Sequence, residues 1–238
     1  MRQLIHGRNA VLEAARAGRV LKVYQAAGLG HDPRLEELSR IAPVEVVHPQ
    51  RLDAMAPGVN QGVAAELKPR REWTLKQLLD RSPSLLVALD SILDPQNLGA
   101  ILRTAEIAGA EGAIIPEHRS APLSPAAVKA SSGASELLAI ARVSGLPSAI
   151  AETKRAGIWC VALDPRGEML AWDFDFTQPV CVVVGNEGAG VQRLVKERCD
   201  ARVRLPVAGT IASLNASAAA AALLYEVMRQ RSAAKTRT

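Results

Sequence analysis

The sequence has few aromatic residues and few cysteines, and each shortage excludes a class of function. Phe, Trp and Tyr make up 3% of the 238 residues, which argues against a surface that stacks many single-stranded bases on aromatic rings. The three cysteines, Cys160, Cys181 and Cys199, are isolated and lack C-x-x-C spacing. This pattern excludes a disulfide framework and argues against a structural zinc site, so we expect no bound metal.

Long apolar segments are also lacking. No run approaches the roughly 18 apolar residues that a membrane-spanning helix needs. The first eleven residues, MRQLIHGRNAV, are too polar for a signal peptide. We therefore expect a cytoplasmic protein with no membrane partner.

Basic charge is concentrated at the two ends of the chain. The formal net charge is +5; residues 1–80 carry 12 Lys and Arg against 9 Asp and Glu, and residues 81–228 carry 13 against 15. Residues 229–238 carry four basic residues and no acidic one. A polyanion held from the flanks would suit this distribution, although for the last ten residues alone a solvated tail is the better explanation.

Composition and periodicity divide the chain into four parts. Residues 1–66 alternate helical and strand patterns and predict a small α/β domain. Residues 67–82 are polar and basic, as domain linkers are. Residues 83–230 predict a larger α/β domain, and residues 231–238 form a basic tail.

The larger domain contains six continuous apolar runs, SLLVALD, GAIIP, LLAIARV, GIWCVALD, PVCVVVG and ARVRLP. Runs without alternation indicate strands that are buried on both faces, and hence a mainly parallel sheet between helices. Because ligands bind at the carboxyl ends of such strands, the turns that follow them are the candidate sites.

Two of these turns carry polar residues beside glycines. The segment after SLLVALD places Asn97 near the start of a helix that also carries Arg103. Arg103 lies among apolar neighbours, so we expect a half-buried face on which it needs an anionic partner; a salt bridge to Glu106 is the simpler alternative. The second segment, G-N-E-G-A-G at 185–190, permits close backbone approach, but a plain structural turn is equally compatible with it.

A third segment, L-P-V-A-G-T-I-A-S-L-N-A-S at 205–217, leads into the last helix. Ser213 and Asn215 stand where N-caps are expected, and a helix start can also orient an anionic ligand. Capping explains one of these polar residues more easily than both of them.

Taken together, N-L-G-A-I-L-R-T at 97–104 and the segments at 185–190 and 205–217 resemble the three signature motifs of the SpoU (TrmH) methyltransferases. I-H-G-R-N-A-V-L-E-A at 5–14 and Q-G-V-A-A-E at 61–66 resemble the substrate-binding domain of many members. The resemblance covers nearly the whole chain and is greatest to bacterial members that methylate a guanosine ribose in 23S ribosomal RNA.

This resemblance implies a SPOUT-type α/β domain with a C-terminal trefoil knot, preceded by a small RNA-binding domain. It also implies a homodimer that uses S-adenosylmethionine as cofactor. The residues it assigns to the cofactor are Gly185, Leu205 and Leu214, with Leu163 as a further contact. The polar residues it assigns to the reacting ribose are Asn97, Arg103, Glu187, Ser213 and Asn215.

Arg103 is the activating group that the resemblance implies, but arginine is almost never deprotonated. We therefore expect Arg103 to hold a phosphate and polarise the 2′-oxygen, while Glu187 and Asn215 position it for attack. For RNA binding the candidates are Arg8 and Asn9 in the small domain, and Arg119 and Lys129 in or after the loop 116–125.

Three alternatives differ in what they bind. A ribose methyltransferase acting on transfer RNA would share the catalytic motifs. A non-catalytic RNA-binding homologue would not need Arg103, Glu187, Ser213 and Asn215 together. A nucleotide-binding enzyme that used the loop 185–190 for phosphates would need a lysine at the start of the following helix, and the sequence has none at that point.

Overall fold

The structure is a computed structural model that describes residues 3–69, 72–210 and 213–235. Its N-terminal part contains a four-stranded sheet of order β1-β4-β2-β3, in which β2 and β3 are parallel and the other pairs antiparallel. The strands are β1 Gln3–His6, β2 Val20–Ala26, β3 Val44–Val47 and β4 Val63–Leu67. The helices are α1 Arg8–Arg16, α2 Pro33–Ile41 and α3 Pro49–Met55.

The second sheet has seven strands, all paired in parallel, in the order β7-β6-β5-β10-β8-β11-β9. This confirms the expected α/β class. The strands are β5 Leu85–Asp90, β6 Gly112–Pro116, β7 Ala139–Val143, β8 Trp159–Leu163, β9 Met169–Leu170, β10 Val180–Gly185 and β11 Ala201–Arg204.

Helices cover both faces of this sheet, as the unbroken apolar strands predict. They are α4 Leu75–Leu79, α5 Pro95–Ile107, α6 Pro125–Ala130, α7 Ala134–Leu137, α8 Leu146–Arg155, α9 Arg193–Arg198 and α10 Ala216–Lys235. Side chains from α5 and α10 share one core cluster, and those of α4, α8 and α9 share the other. Strands β5 and β10 lie at the centre, so the turns that leave them are neighbours.

Two expectations about this region need correction, and one strand was not predicted. The predicted strand LLAIARV begins only at Ala139, because Leu137 belongs to α7, a short helix not predicted. The strand β9 has only two residues, too few to produce an apolar run. The last helix begins at Ala216 rather than at Ser213.

The expected basic tail is helical where the structure describes it, since α10 continues to Lys235. Arg231 packs back onto the domain and donates hydrogen bonds to the backbone oxygens of Ser84, Phe176 and Gln178 at 2.7–3.0 Å. Residues 236–238 lie outside the described residues. The domain boundaries and the trefoil knot stay predictions.

None of the described helices is both long and apolar enough to cross a membrane.

Candidate active site

The turn after β5 leads directly into α5, whose first residues are fixed by a helix cap. Asp94 caps the helix, because its carboxylate accepts a hydrogen bond from the backbone N–H of Gln96 at 3.0 Å, and Pro95 occupies the first helical position. These two residues fix where the helix begins. Asn97 therefore stands in its first turn, at the carboxyl edge of the sheet, with its side chain half-buried.

The loop 185–190 folds around its own asparagine. The Asn186 side-chain oxygen accepts hydrogen bonds from the backbone N–H groups of Gly188 and Ala189, both at 2.8 Å. Gly185 must be glycine, because a Cβ there would lie 2.1 Å from the backbone carbon of Gly190. The closed loop holds Glu187 at its exposed tip.

A buried carboxylate, Asp90, supports this loop from below. It is 2% exposed, accepts a hydrogen bond from the backbone N–H of Gln192 at 2.6 Å, and also accepts one from the Ser91 hydroxyl at 3.1 Å. Asp90 thus connects the end of β5 to the residue just after the glycine-rich loop. The sequence analysis missed it, although a carboxylate closing the otherwise apolar run SLLVALD was a usable signal.

Asn215 caps α10. Its side-chain oxygen accepts hydrogen bonds from the backbone N–H of Ser217 at 2.9 Å and from the Ser217 hydroxyl at 2.6 Å. The capping role expected for one of the two polar residues therefore falls to Asn215. Ser213 lies before the helix and is exposed, and Ile211 and Ala212 of the same segment lie outside the described residues.

Asn97, Glu187 and Asn215 come from three distant segments and form one hydrogen-bonded cluster, called here the polar triad. Asn97 Nδ2 donates to Glu187 Oε1 at 2.6 Å, Asn215 Nδ2 donates to Asn97 Oδ1 at 3.1 Å, and Asn215 Nδ2 also donates to Glu187 Oε1. Both amides thus direct donors at one carboxylate oxygen. The arrangement holds a carboxylate at a fixed point above the sheet edge.

Arg103 lies on the exposed face of α5, six residues beyond Asn97. This corrects the expectation of a half-buried face, and the alternative salt bridge to Glu106 is absent as well. Among the residues that the structure describes, no ion pair or hydrogen bond involves the Arg103 side chain. Its guanidinium is available to an anionic ligand.

A cavity of about 660 Å³ opens beside the polar triad. All four residues predicted for cofactor binding line it, as do Glu187 and Ser213. The predicted four are Leu163, Gly185, Leu205 and Leu214. The cavity is within the 300–1,000 Å³ typical of small-molecule sites, and its apolar walls with a few polar groups are also typical.

Asp164 and Lys196 line the same cavity and form an ion pair of 2.8 Å. Burial opposes ionisation of Asp164, but the Lys196 ammonium and the backbone N–H of Arg166 outweigh it and lower the pKa of the carboxyl group. Sequence reasoning missed this pair. A charged residue directly after an apolar strand, as in GIWCVALD, was again the signal.

The four predicted RNA-binding residues differ in how they are engaged. The Arg8 guanidinium pairs with the buried Asp32 at 2.5 Å, and the Asn9 side-chain oxygen accepts a hydrogen bond from Arg34 at 3.0 Å. Lys129 donates to the backbone oxygen of Val59 at 3.0 Å. Arg119 is exposed, in a backbone conformation with φ of 56°.

Within residues 3–69, 72–210 and 213–235, no group of three or more His, Cys, Asp or Glu side chains is arranged to hold a metal ion.

Two family models match the chain. One, described as the SpoU rRNA Methylase family, matches residues 84–225. The other, described as RNA 2′-O ribose methyltransferase substrate binding, matches residues 4–73. The two matches correspond to the two sheets.

Several named proteins are similar over most of their length. The 23S rRNA (guanosine-2′-O-)-methyltransferase RlmB of Pseudomonas syringae pv. tomato is 41% identical over 225 residues, covering 90% of each chain. The putative TrmH family tRNA/rRNA methyltransferase YacO of Bacillus subtilis is 39% identical over 94% of each chain.

A solved structure agrees in fold. The SpoU methyltransferase AviRb from Streptomyces viridochromogenes superposes with a TM-score of 0.80 at 32% identity, covering 98% of this chain and 91% of that one. A second structure of AviRb, in complex with the cofactor AdoMet, superposes with a TM-score of 0.79 at 32% identity, covering 96% and 89%.

Proposed function

Because the chain belongs to the SpoU rRNA methylase family, we propose that it transfers a methyl group from S-adenosylmethionine to the ribose 2′-hydroxyl of a guanosine in 23S ribosomal RNA. The observation that carries the proposal is the polar triad, which three separate segments assemble at the mouth of a cofactor-sized cavity. The choice of guanosine in 23S ribosomal RNA follows the names of the similar proteins.

The cavity fits the cofactor by size and lining. Leu163, Leu205 and Leu214 offer apolar cover for a flat base. Gly185, where a Cβ would collide with the backbone of Gly190, lets the loop close along the cavity wall. When bound, S-adenosylmethionine supplies an electrophilic methyl group on a sulfonium. The Asp164 and Lys196 pair at the cavity wall offers one charge of each sign to the polar groups of the cofactor.

Glu187 is the group best placed to receive the 2′-hydroxyl. Both amides of the triad donate to its Oε1, whereas Oε2 accepts no hydrogen bond from the described residues and is available to a ribose. A carboxylate oxygen accepting the hydroxyl proton orients the 2′-oxygen lone pair for in-line attack. Asn97 and Asn215 act by holding that carboxylate in place.

In this proposal Arg103 binds a phosphate of the RNA substrate. It is exposed, has no partner among the described residues, and shares α5 with Asn97. A guanidinium binds phosphate through paired hydrogen bonds, and its charge favours the developing alkoxide. Ser213, at the cavity edge, adds a hydroxyl to the same region.

The enzyme is also proposed to act as a homodimer in the cytoplasm, where ribosomal RNA is found. Ile107 on α5 and Tyr225 on α10 are large apolar side chains that are about half-exposed, on two helices that pack against each other. Large apolar side chains left exposed in this way are typical of an interface. Light scattering of the native chain and of Tyr225→Glu tests this: a monomeric native chain would contradict the proposed dimer.

The deciding experiment maps 2′-O-methylation across ribosomal and transfer RNA from a strain lacking the gene. Loss of one guanosine methyl group in 23S RNA, restored by the native gene but not by Arg103→Ala, is the expected result. Loss at a transfer RNA position would favour the second candidate, which the name tRNA/rRNA methyltransferase of a relative also raises. Unchanged methylation throughout would favour a non-catalytic RNA-binding role.

Calorimetry separates the remaining alternative. Binding of S-adenosylmethionine is expected, and binding of ATP without it would instead indicate a nucleotide-binding enzyme.

A further inference from the structure

The small N-terminal domain is packed tightly on α6 and α7 of the large domain. Helix α6 lies against β1, and α7 lies against α1. Val128 of α6 is fully buried and belongs to the core cluster of the small domain, together with Ile5 and Val11. The hydrophobic core of the small domain therefore includes a side chain of the large one.

An ion pair between Arg19 and Glu136 closes this contact. Glu136 on α7 is 0% exposed and Arg19, in the turn before β2, is 11% exposed at the side chain. Arg19 also donates to the backbone oxygen of Lys68 at 2.7 Å. A carboxylate this deeply buried requires its partner, since removing one partner leaves an uncompensated buried charge.

Gly133, between α6 and α7, shows how close the two domains approach. Its φ is +94°, and a Cβ at this position would lie 2.4 Å from Glu13 Cβ of α1. Only glycine provides both this backbone conformation and this separation.

The opposite side of α6 packs closely against α5, the helix that carries Asn97 and Arg103. A Cβ on Gly99 of α5 would lie 2.5 Å from the backbone oxygen of Ala127 and 2.5 Å from Ala130 Cβ. Helix α6 thus contacts the small domain through Val128 and contacts α5 through Ala127. The small domain and the helix that holds Asn97 and Arg103 are therefore connected through the packing of α6.

We infer that α6 and α7 form a rigid wedge that fixes the RNA-binding domain relative to α5, and that Arg19 and Glu136 are positioning residues for methylation of a large RNA. The inference rests on the proposed function. Domains joined by a small polar contact move freely, whereas a buried ion pair and a shared core do not permit such motion. RNA held by the small domain then presents its ribose to the polar triad at a fixed distance, on which in-line attack depends.

Charge reversal tests the positioning role. Glu136→Arg and Arg19→Glu each place like charges together, and the double variant Arg19→Glu/Glu136→Arg restores an opposite pair. Asp80→Arg is the matched control, since it reverses the same charge in an exposed pair with Lys76 within α4. Steady-state methylation of ribosomal RNA over a range of RNA concentrations, the dissociation constant of S-adenosylmethionine and the melting temperature are measured for the native chain and for all four variants.

Each single reversal is expected to raise the KM for RNA at least tenfold, with S-adenosylmethionine affinity within twofold of the native chain. The double variant is expected to recover to within about threefold, and Asp80→Arg to match the native chain. Full activity of folded Glu136→Arg on RNA would overturn the inference. Equal losses of RNA methylation and cofactor affinity would overturn it too, because they indicate general unfolding rather than positioning.

Distances between spin labels in the two domains test whether the domains are held rigidly, and this test does not depend on methylation of any RNA. Labels at Arg51→Cys and Arg155→Cys, both exposed positions in different domains, are placed in a Cys199→Ser background. One narrow distance distribution is expected for the native pair and a broad one for Glu136→Arg. A broad distribution in the native pair would refute the wedge, whereas a narrow one in an inactive protein would refute only the proposed function.

Discussion

The hydrogen bond from Asn97 to Glu187 gives the sharpest test of the polar triad. Asn97→Asp replaces the amide donor by a carboxylate 2.6 Å from Glu187 Oε1. At that separation two unit charges repel by about 1.6 kcal/mol in water and by about 6 kcal/mol at an effective dielectric constant of 20. Glu187 is exposed, so we take the lower end, which corresponds to roughly a tenfold loss of turnover at neutral pH.

The loss is expected to depend on pH. Two carboxylates this close raise the apparent pKa of the pair, so that one proton is taken up as the pH falls. A protonated aspartic acid at position 97 again donates a hydrogen bond to Glu187, as the amide does. The rate of Asn97→Asp relative to the native enzyme should therefore rise as the pH is lowered, whereas Asn97→Ala, which cannot donate, should show a constant ratio.

The assay is single-turnover transfer of a tritiated methyl group to ribosomal RNA between pH 5 and pH 8. Taking the ratio of variant to native rate at each pH removes the pH dependence of the chemical step itself. Circular dichroism verifies that both variants are folded. Equal slopes for Asn97→Asp and Asn97→Ala would refute the role of the Asn97 donor, and so would full activity of Asn97→Asp at pH 8.

Three further predictions concern single positions. Arg103→Ala should reduce the rate of methyl transfer about a hundredfold, which is the lower end of the range for loss of a donor that stabilises charge in the transition state. The affinity for S-adenosylmethionine, measured by calorimetry, should stay within twofold of the native value. Weakened cofactor binding would contradict the proposed role of Arg103 in binding the phosphate. Gly185→Ala should weaken cofactor binding at least tenfold and lower the free energy of unfolding by about 1–3 kcal/mol, because the new Cβ would meet the backbone of Gly190. Gly188→Ala is the control in calorimetry and thermal melts, since a Cβ there would have no neighbour nearer than 3.7 Å. Burial raises the pKa of the Cys199 thiol to about 12, so roughly one molecule in ten thousand carries its thiolate at pH 8. A disulfide reagent should therefore react slowly with the folded protein. Once the protein is unfolded, the reagent should modify all three cysteines.

The sequence predicted most of the large sheet because its strands are continuous apolar runs. Six of its strands were expected, and the parallel arrangement followed from burial on both faces. The exceptions were physically different cases. Strand β9 has two residues and no apolar run of its own. Leu137 has the apolar character of the strand that follows it, but it belongs to α7. The start of α7 is set by Gly133 and by the hydrogen bonds between Ser131 and Ser135.

Arg103 was predicted on a half-buried face of α5, and the structure places it on an exposed one. Its neighbours along the chain, Ile101 and Leu102, are buried, which suggested a half-buried arginine. On a helix, however, the residues that share a face lie three or four positions apart, and Glu106 and Ile107 on that face are at least partly exposed. Periodicity rather than chain neighbourhood was the relevant signal.

The pairings inside the site could not be predicted from local patterns. Asn97 and Asn215 are 118 residues apart, and Asp90 and Gln192 are 102 apart. Their contacts depend on the strand order, in which β5 and β10 are neighbours although 89 residues separate Asp90, the last residue of β5, from Val180, the first of β10. The same holds for Arg8, whose pairing with Asp32 follows from the packing of the small domain.

The polar triad and Arg103 differ in how they are prepared for reaction. The triad is complete without RNA, since the two amides already hold the Glu187 carboxylate. Arg103 is exposed and has no partner among the described residues, so its guanidinium stays hydrated until a phosphate binds. Because exclusion of water strengthens the interaction of such charges, the role proposed for Arg103 requires that RNA cover the site. In the proposed mechanism, the folded enzyme therefore orients the hydroxyl by itself, whereas polarisation of the 2′-oxygen depends on bound RNA and confines methyl transfer to it.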